Sequence, residues 1–129
     1  MNGLTITLVT ASLLGLMFVW LSARVIGQRV KNEVIIGEGD DPSLLYAIRA
    51  HGNFCEYVPV FLIVLGLLEI SGGQRTALTV LAALFVIARA SHVMGMGANA
   101  NLKFCQAGIF GSFAAIGSAC LYGLFLGLV

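Results

Sequence analysis

Apolar residues run through this chain in four long blocks separated by short polar stretches. The first block, Leu4 to Ala23, holds no charged residue. At a rise of ~1.5 Å per residue, a helix of that length covers the ~30 Å hydrocarbon core of a bilayer. No Lys or Arg precedes it and it is too long for a signal-peptide core, so it reads as a first transmembrane helix rather than a cleavable signal. The second block opens on Asp41-Pro42, a helix N-cap followed by proline at the first helical position. It runs to Ile70, where Ser71-Gly72-Gly73 stops it. That is longer than a membrane needs, so its first two turns should emerge at the headgroups. The third block runs from Thr76 to Met96 and is ended by Gly95, Gly97, Asn99 and Asn101; the fourth, Gln106 to Leu128, carries no charge. The pattern predicts an all-α, integral membrane four-helix bundle in one domain over residues 1–129, with spans over about 3–24, 42–70, 76–96 and 106–128.

Composition changes the picture only by fixing the solvent. The chain is 59% hydrophobic and 10% charged, where soluble domains carry about 25% charged residues; the surrounding medium must be lipid. A net charge of +1 with no basic run offers nothing to nucleic acid. Cys55, Cys105 and Cys120 are isolated and odd in number, which argues against a disulfide framework or a metal site and for small apolar filler. Lys and Arg set the orientation. Arg24, Arg29 and Lys31 lie in the first loop segment, from Arg24 to Asp41, and Lys103 lies in the third. The second loop holds only Arg75 and the tails hold none. Loops one and three should face the cytoplasm and both termini outward.

On the fourth span Ala107, Gly111, Ala115, Ala119, Gly123 and Gly127 recur at four-residue spacing. Such ridges of small residues let helix backbones approach closely in lipid, and this one predicts a packing seam, within or between subunits. The second span carries a polar stripe instead. Arg49, Asn53 and Glu56 fall within about 60° of the helix circumference, with Tyr46, Tyr57 and Val60 on the same face. Charges at membrane depth are costly and mark functional sites by default. Arg offers a planar fork suited to a carboxylate, Glu56 an acceptor for an ammonium, and Asn53 both a donor and an acceptor. The set matches a small zwitterion. It equally suits an internal ion network in which Arg49 or Arg89 pairs with Glu56.

On the third span Phe85, Arg89, His92 and Met96 share a face. Arg89 is placed to neutralise Glu56 or to bind ligand, and His92 to act as general base, as hydrogen-bond donor, or only as a satisfied interfacial side chain. His51 points about 160° away from Arg49, toward a neighbouring helix or subunit; with His92 it finds no third metal ligand at a suggestive spacing. Arg29 and Lys103 sit in the cytoplasmic margins, either as snorkelling anchors or as a positive rim that favours an anionic cytosolic ligand.

The run Arg49-Ala-His-Gly-Asn-Phe-Cys-Glu-Tyr-Val-Pro resembles the signature of the membrane-associated proteins in eicosanoid and glutathione metabolism, the family of microsomal glutathione transferases and leukotriene C4 synthase. The shared skeleton is R-A-x-x-N-x-x-E-Y-x-P-x-F, here Arg49, Ala50, Asn53, Glu56, Tyr57, Pro59 and Phe61. The likeness is to bacterial-type members and implies a multi-pass inner-membrane protein, a homotrimer of four-helix subunits with glutathione bound between neighbours near the cytoplasmic side. By position, Arg49, Asn53, Glu56 and Tyr57 would hold glutathione, Arg29 would meet one of its carboxylates, and His51 stands where some members place a glutamine from the adjacent subunit. Arg89 matches the family arginine of span three. His92 and Met96 replace tyrosines there, and Lys103 stands where an arginine approaches the thiol.

The resemblance implies a glutathione-dependent transferase or peroxidase. Glutathione would be co-substrate, no metal would be involved, and Lys103 or His92 would stabilise the thiolate that attacks a lipophilic molecule arriving from the membrane. The departures on span three keep open a non-catalytic lipid-binding or scaffold member of the same fold. A proton-coupled transporter using Glu56 ranks behind both, since no inverted repeat is evident.

Overall fold

The structure is a computed structural model and describes residues 3–97 and 99–128; the expected domain also includes residues 1, 2, 98 and 129, which lie outside the described residues. It consists of four helices, α1 Thr5–Lys31, α2 Pro42–Ile70, α3 Arg75–Gly95 and α4 Leu102–Leu128. All four are long and apolar enough to cross a membrane, and no strand occurs among the described residues. The expected all-α architecture of four membrane-spanning helices is therefore present. α3 packs most extensively on α4 and α1 on α2, while α1 and α4 do not meet. The centre is filled by Leu14, Leu21, Phe61, Leu65, Leu78 and Phe85, each at most 1% exposed, with the Phe61 and Phe85 rings stacked at 4.0 Å. The outward faces carry Leu16, Ile63, Ile87 and Phe110, as a lipid-facing surface requires.

The helix ends differ from expectation at two places. α1 continues to Lys31, well past the last uncharged residue, because Arg24 and Arg29 keep good helix propensity and reach polar partners without unwinding the backbone. Arg24 donates from Nη2 to the carbonyl of Met96, the C-cap of α3. Arg29 donates from Nη1 to the carbonyls of Ile35 (3.3 Å) and Gly37 (2.9 Å) and so holds the first loop. α4 begins at Leu102, so Lys103 belongs to its first turn rather than to the loop; Asn101 Oδ1 accepts the Lys103 N–H at 3.0 Å and starts the helix. The start of α2 is as expected: Asp41 accepts the Ser43 N–H at 2.8 Å, and that amide holds its carboxyl below the ordinary carboxylate range.

α1 lacks a capping side chain of its own, Leu4 standing at its N-cap. Glu69, near the end of α2, supplies the cap. Its two oxygens accept the N–H groups of Ile6 and Thr7, both at 2.8 Å, and the Thr7 hydroxyl at 2.7 Å. A carboxylate at a helix N-terminus is favoured both by the unpaired amides and by the macrodipole. Glu69→Ala should lower stability by about 1–2 kcal/mol and increase amide exchange at Ile6 and Thr7 selectively. Unchanged exchange there would show that the cap contributes nothing.

Candidate functional site

The polar stripe of α2 divides into an outer and an inner part. Arg49 and Glu56 are exposed on the surface of the bundle, while Asn53 and Tyr57 are half-buried. The inner part is organised by Arg89 of α3, which is 1% exposed. Its Nη1 donates to Asn53 Oδ1 at 2.7 Å and its Nη2 to the carbonyl of Gly108 on α4 at 2.9 Å. The guanidinium lies 5.0 Å from the centre of the Tyr57 ring and 5.7 Å from that of Phe85, and the Tyr57 ring in turn meets Phe113 of α4 at 5.7 Å. Arg89 thus ties α2, α3 and α4 together through neutral partners. Its Nε has none.

This junction depends on close approach of α3 and α4. A Cβ at Gly108 would fall 2.5 Å from His92 Cβ and 2.6 Å from His92 N, so only glycine fits. Gly111 similarly sits against Ala88, where a Cβ would approach its methyl to 2.9 Å. The expected ridge on α4 is in contact only in its middle: Ala115 and Ala119 are buried, whereas Ala107 and Gly127 face outward. A strict four-residue step precesses ~40° per turn around the helix, so such a ridge winds off any straight seam. The row actually buried is Gly108, Ser112, Ala115 and Ala119, whose 4-3-4 spacing keeps to one face.

Asn53, Tyr57 and Arg89 come together, and Arg49 and Glu56 flank them on the same helix. Arg89 is directed to Asn53 and Gly108 rather than to Glu56. His92 lies one turn from Arg89 but is 1% exposed and packs beside Gly108. Lys103 is exposed on the first turn of α4. His51 faces α1: its Nε2 is 3.1 Å from Ser22 Oγ and its ring 5.2 Å from that of Phe18. Arg29 retains Nε and Nη2 for other partners, since Nη1 makes the loop contacts. Gly108 is the residue that sequence reasoning missed; the 4-3-4 row of small residues was the available signal.

Electrostatics give the outer part its meaning. Glu56 stands ~21 Å along α2 from Pro42 at ~1.5 Å per residue, on a helix long and apolar enough to cross a membrane. A carboxylate set against lipid tails is costly and calls for polar surroundings. Arg49 and Glu56 form an exposed edge of opposite charges on α2.

A family model described as MAPEG family matches residues 7–129. The inner membrane protein YecN of Escherichia coli (strain K12) is 28% identical over 85 residues, covering 66% of this chain and 65% of that protein. The inner membrane protein YecN of Escherichia coli O6:H1 matches to the same extent. The chain thus spans slightly less than two thirds of the length of the curated relatives it matches. No solved structure matches significantly. With the family model running through all four helices, the chain belongs to the MAPEG family.

Proposed function

We propose that the chain is a membrane-bound, glutathione-dependent transferase or peroxidase, assembled as a homotrimer that binds glutathione between subunits. The observation that carries this reading is the exposed Arg49–Glu56 edge beside a pre-positioned Asn53. A separated cation and anion at membrane depth suit a zwitterion with carboxylates and an ammonium, and a neighbouring subunit would enclose them. Arg49 and Arg29 would hold the carboxylates, Glu56 the ammonium, and the free Asn53 Nδ2 a peptide carbonyl. Tyr57 would line the same wall. Arg89 would act through Asn53, fixing its amide orientation.

In the transferase reaction the glutathione thiol loses its proton to solvent at the cytoplasmic mouth. Lys103, exposed on the first turn of α4, stabilises the resulting thiolate by charge. The sulfur lone pair then forms a bond to the electrophilic carbon of a lipophilic co-substrate arriving from the bilayer, and the leaving group departs with the displaced electron pair.

The burial of His92 favours a second reading, a non-catalytic lipid-binding or scaffold protein of the same fold. Calorimetry on the detergent-purified protein tests the first. Arg49→Ala and Glu56→Ala should each weaken glutathione binding about thirtyfold, or ~2 kcal/mol, as expected for truncating one member of a desolvated charge pair. Absence of glutathione binding in the wild type would overturn the enzymatic reading. Binding without a thiolate ultraviolet band or conjugation of a model electrophile would leave the scaffold reading.

A further inference from the structure

A second feature is independent of the glutathione reading. Between α1 and α3 runs an open groove of about 450 Å³. Its floor is made shallow by Ala82 and Ala83, and its walls are Val9 and Leu13 of α1 and Val86 and Ile87 of α3. Val9, Leu13 and Ile87 are all more than half exposed to the outside of the subunit. At one end the groove becomes polar, where Thr5 and Arg75 form its mouth.

Three observations agree on an occupant. The distance along α3 from Arg75 to Ile87 is ~18 Å at ~1.5 Å per residue, close to the ~15 Å depth of one leaflet of a ~30 Å core. The walls along that length are apolar apart from Thr10 and Thr79, whose hydroxyls donate to the carbonyls of Ile6 and Arg75 in their own helices, which leaves a surface an acyl chain can follow. The mouth carries an exposed guanidinium, a bidentate partner for phosphate. Glu69, which with Arg75 lines the adjoining ledge, directs its oxygens to the amides and hydroxyl at the start of α1, so its carboxylate is engaged there while the exposed guanidinium sits at the mouth of the groove.

We propose that this groove binds one anionic phospholipid from the leaflet beside the α2–α3 turn, with the phosphate on Arg75 and one acyl chain along α3. A snorkelling anchor alone would give Arg75 no preference among individual lipids and would be indifferent to the shape of the groove below it.

Native mass spectrometry of the full chain, purified in detergent and mixed separately with dioleoyl phosphatidylglycerol, dioleoyl phosphatidylcholine or oleate, tests the site. The expected result is one retained phosphatidylglycerol per subunit, with phosphatidylcholine and oleate retained at least about fivefold less. Arg75→Gln should lower phosphatidylglycerol retention about fivefold, the scale of one basic residue against an anionic lipid. Ala83→Phe, at an exposed position, should fill the groove and abolish retention. Equal retention of the two phospholipids, an unaltered preference in Arg75→Gln, or lipid retained by Ala83→Phe would each overturn the proposal. Oleate retained as well as phosphatidylglycerol would replace the phospholipid by a single-chain acid. A change of subunit number in Ala83→Phe with lipid retention intact would make the groove a contact between copies.

Discussion

Arg89→Ala is expected to destabilise the protein by about 3 kcal/mol, and Arg89→Met by less than about 1 kcal/mol. The asymmetry follows from what surrounds the side chain. Arg89 is fully buried, so truncation to alanine leaves a large cavity between α2, α3 and α4. Methionine refills much of that volume with a flexible apolar chain. The two hydrogen bonds it forfeits are worth only ~0.6 kcal/mol each on the scale measured within membranes. Arg89 meets a side-chain amide, a carbonyl and aromatic faces, with its Nε unpartnered, so removing the charge also relieves a desolvation cost that no carboxylate offsets. On the glutathione reading both variants should lose affinity alike, because both release Asn53. Unfolding free energies in mixed micelles, set beside calorimetric titrations, separate the two effects. If Arg89→Met proves as unstable as Arg89→Ala, the polar network rather than packing holds the junction.

Gly108→Ala should cost about 2–3 kcal/mol, and Gly108→Val more, enough to prevent accumulation of folded protein. The new Cβ would meet His92 Cβ at 2.5 Å, His92 N at 2.6 Å and the Ala88 carbonyl oxygen at 2.7 Å. Backbone atoms cannot turn aside as the end of a flexible side chain can, so α3 and α4 must separate along their most extensive contact. Separation also withdraws the Gly108 carbonyl from Arg89 Nη2, so the first-order effect on packing carries a second on the junction. Gly117→Ala is the control. Nothing lies within 4 Å of a Cβ there, and alanine's better helix propensity makes the change neutral or slightly stabilising. A Gly108→Ala variant within about 0.5 kcal/mol of wild type, inside the range of ordinary surface substitutions, would show that the helices yield easily.

The bundle was legible because lipid leaves so few options: every backbone polar group must be paired internally, and four apolar blocks of membrane length can only be helices. Local chemistry also located the start of α2, where Asp41 and Pro42 act within one turn. Less legible was the continuation of α1 to Lys31, because helicity does not stop where apolarity does. The direction of His51 away from the stripe followed from helical geometry, but Ser22 as its neighbour required the packing of α1 on α2. Of the small-residue ridge, Ala115 and Ala119 belong to the row buried within the chain, since a four-residue period is not the period of a straight contact. Arg89 was placed on the correct face. Its partners, Asn53 and a carbonyl on α4, come from sequence distances of 36 and 19 residues, and no pattern along the chain connects them.

The cap that Glu69 provides to α1 has a consequence for biosynthesis. The amides of Ile6 and Thr7 await a carboxylate 63 and 62 residues downstream, which a ribosome makes only after α2 is almost complete. Until then those amides must be served by water at the membrane surface, and α1 gains its native cap only as one arm of a hairpin with α2.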